Sequence, residues 1–501
     1  MPGGRAAAAE APPPRVEVEV DAAVEALDRI NHIVVLMLEN RSFDHMLGYL
    51  RLSGRRPELD GLTADMANTY HDHDNRFPVY DGVSFPVHEL ATTKMKKTQD
   101  PPHGGKSVDN QLKNKNGGFV QVYMDERGID KQGKRPPEVH PADVMGYHTD
   151  HFLPVYDHLT EKFCVCDRWF SSVPGATFPN RLYSVAGRAA GRRDNESPPI
   201  YRLHSFVREL DAAHASWGWF VHNVAPILWA VDRDYGLGNI LDEHVGWFDG
   251  HLRPPYLGST FIQRAAGGKL PSVSWIDPSF ADFRTGVFSL FAPPSNDDHP
   301  PSDVLLGQSL VLKLYDALAS SKQWSDTMLV ITYDEHGGFF DHVPPPRNPP
   351  DDDPQHFSRY GVRVPAIVVS PYVGRKSFSH ELFDHTSIIK TILLRFCRQG
   401  NTIPNMGKRV SEANHLGVLL TEETPRPHET PQLYRPLADK IAAGRPQAEA
   451  LAEELVLGAV ERAAATAGLT DLQEDYMKVE NDFMAQLVKE RPDALIHPGP
   501  N

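Results

Sequence analysis

The chain has 501 residues, 40% hydrophobic and 23% charged, with 51 basic and 66 acidic side chains and a formal net charge of −15. That composition excludes a disordered chain and supplies apolar residues for a sizeable core. The acidic balance argues against a general nucleic-acid binder, which needs a basic footprint, but a cation held in one pocket can still invert the field there for an anionic substrate.

Residues 1–28 read as a Pro/Ala-rich, flexible N-terminal arm with a short helix at Ala22–Leu27. The arm carries Glu10 and no apolar stretch of the signal-peptide kind, so a cytoplasmic location is expected. His32–Leu38 (HIVVLML) is a continuous apolar run, the mark of a strand covered on both faces, and it ends in Glu39-Asn40-Arg41-Ser42-Phe43-Asp44-His45. Residues 51–140 are rich in His, Asp, Gly and Pro and read as a long excursion with functional loops. Leu153–Val165 reads as a helix and then a strand. The Cys164-x-Cys166 pair lies there. With Cys397 it makes an odd total of three cysteines, which does not suggest a disulfide framework, so the pair reads as two small buried hydrophobes.

Ser172–Thr177 reads as a turn and Asn180–Ala186 as the start of a helix. Trp217–Val221 and Ser272–Ile276 are two short strands. Val304–Ser320 has apolar residues at helical spacing. Thr327–Tyr333 (TMLVITY) is a second continuous strand and ends in Asp334-Glu335-His336-Gly337-Gly338. Val364–Ser370 is a third. Thr386–Phe396 is a helix with Asp384 or Thr386 as N-cap. The end of the chain is Ala/Glu/Leu-rich and reads as helix. The longest apolar runs fall far below the ~20 residues that span a bilayer, leaving at most peripheral membrane contact. Strands alternating with helices predict an α/β fold, a mostly parallel central sheet flanked by helices. The expected division is the arm (1–28), a catalytic domain (29–425) and a short C-terminal helical tail (426–501).

Ligands of open α/β sheets bind beyond the carboxyl ends of the strands. Two strands end in acidic pairs there, Glu39-Asn40 and Asp334-Glu335. Either pair alone is equally well explained by capping a turn. Both in one sheet favour a metal site, because clustered carboxylates repel without a cation between them and oxygen donors suit a hard ion. Such a centre activates a hydroxyl or water nucleophile. Thr177 would lie at a helix N-terminus, where an anion is favoured, although spacing alone reads it as an N-cap. Among 24 histidines, His103, His299, His336, His342 and His385 stand in polar, Asp/Pro-rich settings and could serve as acids or donors. The Trp217–Phe220 aromatics could line an apolar cleft, but core is the better reading.

The stretches IVVLMLENRSFDHMLGYL, MGYHTDHFLPVYDHL, VCDRWFSSVPGATFPNRLY, DEHGGFFDHVPPP and YGVRVPAIVVSPYV, in this order across residues 30–395, resemble the signature blocks of the bacterial phospholipase C / acid phosphatase A phosphoesterase family. The resemblance implies an alkaline-phosphatase-like α/β fold and a divalent metal (Ca, Mg, Mn or Zn) held by Glu39, Asn40, Asp334 and Glu335. It implies Thr177 as nucleophile, Asn180 as a phosphoryl-binding group, and His103 and His299 near the phosphate. His336, Asp341, His342 and Arg181 are further candidates for phosphate contact or for support behind it. The chain departs from the family pattern after His103, where HGGKSVDNQLKNKNGGFV lacks a Lys-Met-Asp run. The expected activity is phospholipase C-type cleavage of phospholipid diesters through a phospho-threonine. Acid phosphatase action on monoesters is one alternative, and a non-catalytic metal- or ligand-binding protein on the same fold is another. The expected partner is a phosphoester or phospholipid substrate.

Overall fold

The computed structural model describes residues 14–130, 133–222, 226–241, 244–249, 259–280, 295–427, 434–443 and 471–490. Their central feature is an eight-stranded sheet. In chain order its strands are β1 (His32–Leu38), β2 (Cys164–Cys166), β3 (Trp217–Val221), β4 (Val245–Trp247), β5 (Val273–Ile276), β6 (Thr327–Tyr333), β7 (Ala366–Val369) and β8 (Phe378–Ser379). Across the sheet they lie in the order β8-β2-β7-β6-β1-β5-β3-β4. The two continuous apolar runs are its middle: β1 from Ile33 onward and all of β6 are buried, as strands covered on both faces must be.

The sheet is mixed rather than mostly parallel. β7 runs antiparallel to both its neighbours, β6 and β2, while the remaining pairings are parallel. The cause lies in the connection. No helix intervenes between Tyr333 and Ala366, and a parallel return needs a crossover, usually helical.

The helices used below are α1 (Phe43–Met46), α2 (Pro154–Lys162), α3 (Thr177–Ala186), α4 (Val304–Ala319), α5 (His385–Ile392) and α6 (Asp471–Glu490). Asp303 caps α4 by accepting from Leu305 N at 3.0 Å, and Asp384 caps α5 by accepting from Thr386 N at 3.1 Å. The helix expected to reach Phe396 stops at Ile392 and continues as a wider π-type turn, Leu393–Cys397. All three cysteines are free and buried. Trp217, Trp219 and Phe220 are buried too, so they are core and not cleft.

Of the expected arm, residues 1–13 lie outside the described residues. Arg15–Glu17 forms a short strand antiparallel to Thr402–Pro404. Of the expected tail, Tyr434–Ala443 and α6 are helical, and residues 444–470 and 491–501 lie outside the described residues. No described helix is long and apolar enough to cross a membrane.

Register builds the site. β1 and β6 pair in parallel with Leu38 opposite Tyr333. The next residue on each strand, Glu39 and Asp334, therefore emerges side by side at the carboxyl edge, one inter-strand spacing of about 4.8 Å apart in backbone terms.

Candidate active site

The two acidic pairs meet in a fully buried cluster. Asp334 Oδ1 accepts from Asn40 N at 3.0 Å and from Glu335 N at 2.7 Å. Its other oxygen, Oδ2, is buried with no hydrogen-bond partner. Glu335 Oε2 accepts from Gly337 N at 2.8 Å, and its Oε1 is likewise unpartnered. Two local conformations make this possible. Asn40 has φ 54°, one of the few residue types that enter the left-handed region readily. Gly337 has φ +63°, and a Cβ there would stand 2.1 Å from Asn40 O. The glycine is what lets the two strand ends close on each other.

Burial dominates the electrostatics. It pushes the Glu39 carboxyl well above its ordinary value despite the Arg181 guanidinium beside it, and it pushes Glu335 up to about 8. Arg181 holds the negative charge in place. Its Nε donates to Glu39 Oε1 at 2.8 Å, its Nη2 donates to the same oxygen and to Met37 O at 3.2 Å, and its Nε lies 3.8 Å from Asp334 Oδ2. Arg181 is therefore a carboxylate partner, and its Nη1 is buried without a hydrogen-bond partner.

Thr177 is the first residue of α3, and Ala176 is its cap. The hydroxyl is thus not spent on capping. It lies 3.4 Å from Glu39 Oε2 and 3.3 Å from Asn40 Oδ1. The helix N-terminus behind it offers a positive field for an anion.

His103 and His299 face the same cluster, with ring centroids 6.0 Å apart. Each donates from Nδ1 to a backbone carbonyl, Pro101 O at 2.8 Å and Pro300 O at 2.5 Å. This turns Nε2 inward in both. His103 Nε2 meets Asn40 Nδ2 at 3.3 Å and Glu335 Oε1 at 3.9 Å. His299 Nε2 is buried without a partner, and burial lowers the pKa of this ring. His385 donates from Nε2 to Asp334 O at 2.6 Å, behind the cluster.

Several expected site residues do other work. Asn180 is not free to bind a phosphoryl group. Its Oδ1 accepts from Val173 N at 3.0 Å, and its Nδ2 donates to Val173 O, Gly175 O and Ala176 O at 3.2, 3.1 and 3.1 Å. Its amide protons are spent on the turn that delivers Thr177. His336 is buried, its Nε2 donates to Gln111 Oε1 at 2.8 Å, and burial lowers its pKa to about 3. It is a neutral strut under Glu335.

Asp341 and His342 lie in a second cluster. Asp44, Asp341 and His342 place ligand atoms within 4.8 Å of one another, a spacing that suits a cation. That cation is already present in covalent form. Arg363 donates from Nε to Asp341 Oδ1 at 2.9 Å and from Nη2 to Asp44 Oδ1 at 3.2 Å. His342 donates to Asp44 Oδ2 at 2.6 Å and to Asp60 Oδ1 at 3.0 Å. Arg168 pairs with Asp60 as a third cation against the three carboxylates, so the charges are matched and the group reads as a buried ion network rather than a metal site.

The Glu39 cluster does fit a divalent metal. It gathers the oxygens of three buried carboxylates and an amide, and two of its carboxylate oxygens, Asp334 Oδ2 and Glu335 Oε1, have no hydrogen donor. Buried anionic oxygens left in that state are costly unless a cation joins them.

Sequence reasoning missed two supports. Asp297 lends its carbonyl to Glu39 N at 2.8 Å, and its carboxylate accepts from His299 N at 3.0 Å. The polar NDDHPP run was the available signal. Tyr476, on α6, donates to Glu39 Oε1 at 2.7 Å, and nothing in its helical surroundings marks it.

The profile of the phosphoesterase family matches residues 30–397. A non-specific phospholipase C of Arabidopsis thaliana is 33% identical over 392 residues, covering 74% of this chain and 69% of its own. Phospholipase C B of Mycobacterium tuberculosis is 30% identical over 426 residues, covering 76% and 75%. Among solved structures, the lipoteichoic acid synthase LtaP of Listeria monocytogenes is similar at a TM-score of 0.36 and 10% identity over 79% of this chain and 80% of that one, a likeness too slight to argue from. The match across residues 30–397 and the two phospholipase C relatives are decisive: the chain belongs to the phosphoesterase family, hydrolases acting on phosphoester bonds.

Proposed function

We propose that the protein is a metal-dependent phosphodiesterase of the phospholipase C type, working through a phospho-threonine at Thr177. One observation carries the reading. The Thr177 hydroxyl lies at a helix N-terminus, within 3.4 Å of Glu39 and 3.3 Å of Asn40, beside buried carboxylate oxygens that lack donors. A divalent cation held by Glu39, Asn40, Asp334 and Glu335 would supply the positive charge that makes a threonine alkoxide accessible at neutral pH.

The chain's own groups do the rest. Thr177 Oγ1, its proton given up to solvent, attacks phosphorus while the leaving alcohol takes a proton from His103 Nε2. The dipole of α3 favours the developing charge at its N-terminus, although the Phe178 amide is taken by Asn195 Oδ1 and Pro179 has none. The emptied His103 then draws a proton from the water that hydrolyses the phospho-threonine. His299, held neutral by burial, contributes a lone pair and not an acid. Asn180 keeps the Val173–Ala176 turn in shape so that Thr177 is presented correctly. The named activity of the relatives favours a phospholipid diester over a monoester.

The test is turnover of p-nitrophenyl phosphorylcholine and p-nitrophenyl phosphate side by side, with and without chelator. The diester should be preferred and the activity lost on chelation. Thr177→Ala should lose about 10³-fold or more in kcat while still binding Mn²⁺. Preference for the monoester would move the assignment to a phosphatase, and normal turnover by Thr177→Ala would refute the nucleophile.

A further inference from the structure

The C-terminal helix α6 reaches the catalytic cluster from more than four hundred residues away in sequence. Tyr476 donates to Glu39 Oε1 at 2.7 Å. Its ring stacks on Phe280 at 4.2 Å and lies 5.3 Å from Phe178, the neighbour of Thr177. The helix is pinned at two points beyond this contact. Lys478 Nζ donates to Ser197 Oγ at 2.6 Å. Asp482 accepts from Trp229 Nε1 at 2.9 Å and pairs with Arg233 at 3.1 Å.

The arrangement at Glu39 is asymmetric. Oε1 receives Arg181 Nε, Arg181 Nη2 and Tyr476 Oη. Oε2 receives only the distant Thr177 hydroxyl, at 3.4 Å. A carboxylate oxygen has room for about two good donors, so Oε1 is saturated. The plane of the carboxylate is thereby fixed, and Oε2 is the oxygen left to face the nucleophile and the cation. Arg181 alone cannot fix it, because a fork gripping one oxygen leaves the carboxylate free to rock about that contact. Tyr476 adds a donor from a different element to the same oxygen.

We infer that Tyr476 is a positioning residue of the catalytic centre, and that α6 is part of the enzyme's working site by orienting Glu39 from behind. This rests on the reading of Glu39 as a cation ligand and of Thr177 as nucleophile. Partners that orient a metal ligand are worth 10- to 100-fold in metal affinity or activity when removed.

The experiment uses the full chain in four forms: wild type, Tyr476→Phe, Lys478→Ala and Thr177→Ala. Each is titrated calorimetrically with Mn²⁺, assayed on p-nitrophenyl phosphorylcholine for kcat and KM, and melted. Tyr476→Phe keeps the ring in its aromatic contacts, so its melting temperature should stay near that of wild type. Its Mn²⁺ affinity should fall about 10-fold or more, with the loss in kcat and not in KM. Lys478→Ala removes one exposed bond of the same helix and leaves the Tyr476 ring in its contacts with Phe280 and Phe178, so it should bind and turn over as wild type. Wild-type Mn²⁺ affinity and kcat in Tyr476→Phe, beside an inert Thr177→Ala, would overturn this inference alone. An equal loss in Lys478→Ala would also overturn it, by assigning the effect to helix docking. Turnover by Thr177→Ala would overturn the underlying reading and this inference together.

Discussion

Replacing Gly337 by alanine tests how the sheet edge makes the site. Gly337 sits at φ +63°, and an added Cβ would stand 2.1 Å from Asn40 O, 2.7 Å from Asn40 C and 3.0 Å from Asn40 Cβ. Two penalties follow. The left-handed conformation costs an L-residue about 1–2 kcal/mol. The clash is with backbone that cannot swing aside, and overpacking of that kind costs about 1–3 kcal/mol. Together they predict about 2–5 kcal/mol of lost stability, relieved only by separating the Asn40 and Glu335 turns. That separation also stretches the 2.8 Å bond from Gly337 N to Glu335 Oε2, so binding of Mn²⁺ should weaken in the same variant. Urea denaturation read by circular dichroism gives the stability, and calorimetric titration gives the affinity. A loss below about 0.5 kcal/mol, the range of neutral surface changes, with unchanged Mn²⁺ binding would mean that the turns have slack, and the argument from close approach would fall.

Arg363→Met should cost about 3–5 kcal/mol, because it strands Asp341 as a buried charge without its guanidinium and leaves Asp44 with His342 alone. If millimolar Ca²⁺ or Mn²⁺ stabilises the wild-type protein through this cluster, as shown by loss of the effect in Asp341→Asn, the ion-network reading fails. The same cluster predicts a pH dependence. Burial alone would lower the pKa of His342, but the Asp44 carboxylate, aided by Asp60, outweighs it and lifts the value to about 9. A folded-state pKa above the unfolded value of about 6.5 gives stability that is complete below pH 6.5 and is lost as pH rises to about 9. Denaturation midpoints should therefore decline between these limits in the wild type. His342→Gln should show a flatter profile over that window; an unchanged slope would sink the assignment.

The candidate site was largely legible because the acidic residues expected to form it follow strands whose apolar runs are unmistakable. β1 and β6 must be covered on both faces, and their first polar residues, Glu39 and Asp334, must then emerge at one edge. The motif blocks added Thr177 and the two histidines, and the structure brings all of these within one cluster, buried except for His103. Asn180 shows the limit. An amide close to Thr177 looks the same in sequence whether it contacts substrate or the carbonyls of its own turn, and only backbone geometry separates the two.

By itself, then, the sequence determined the alternation of strands and helices, the burial of the central strands and the residue types at their ends, because those follow from local periodicity and from the cost of burying unpaired charge. The tertiary structure alone decided which way β7 runs, that Arg363 fills the Asp44–Asp341–His342 group, and that Tyr476 reaches Glu39. Each of these depends on contacts between residues tens to hundreds of positions apart. Their partners are chosen by how the elements pack, and no local pattern of apolar and polar residues encodes that choice.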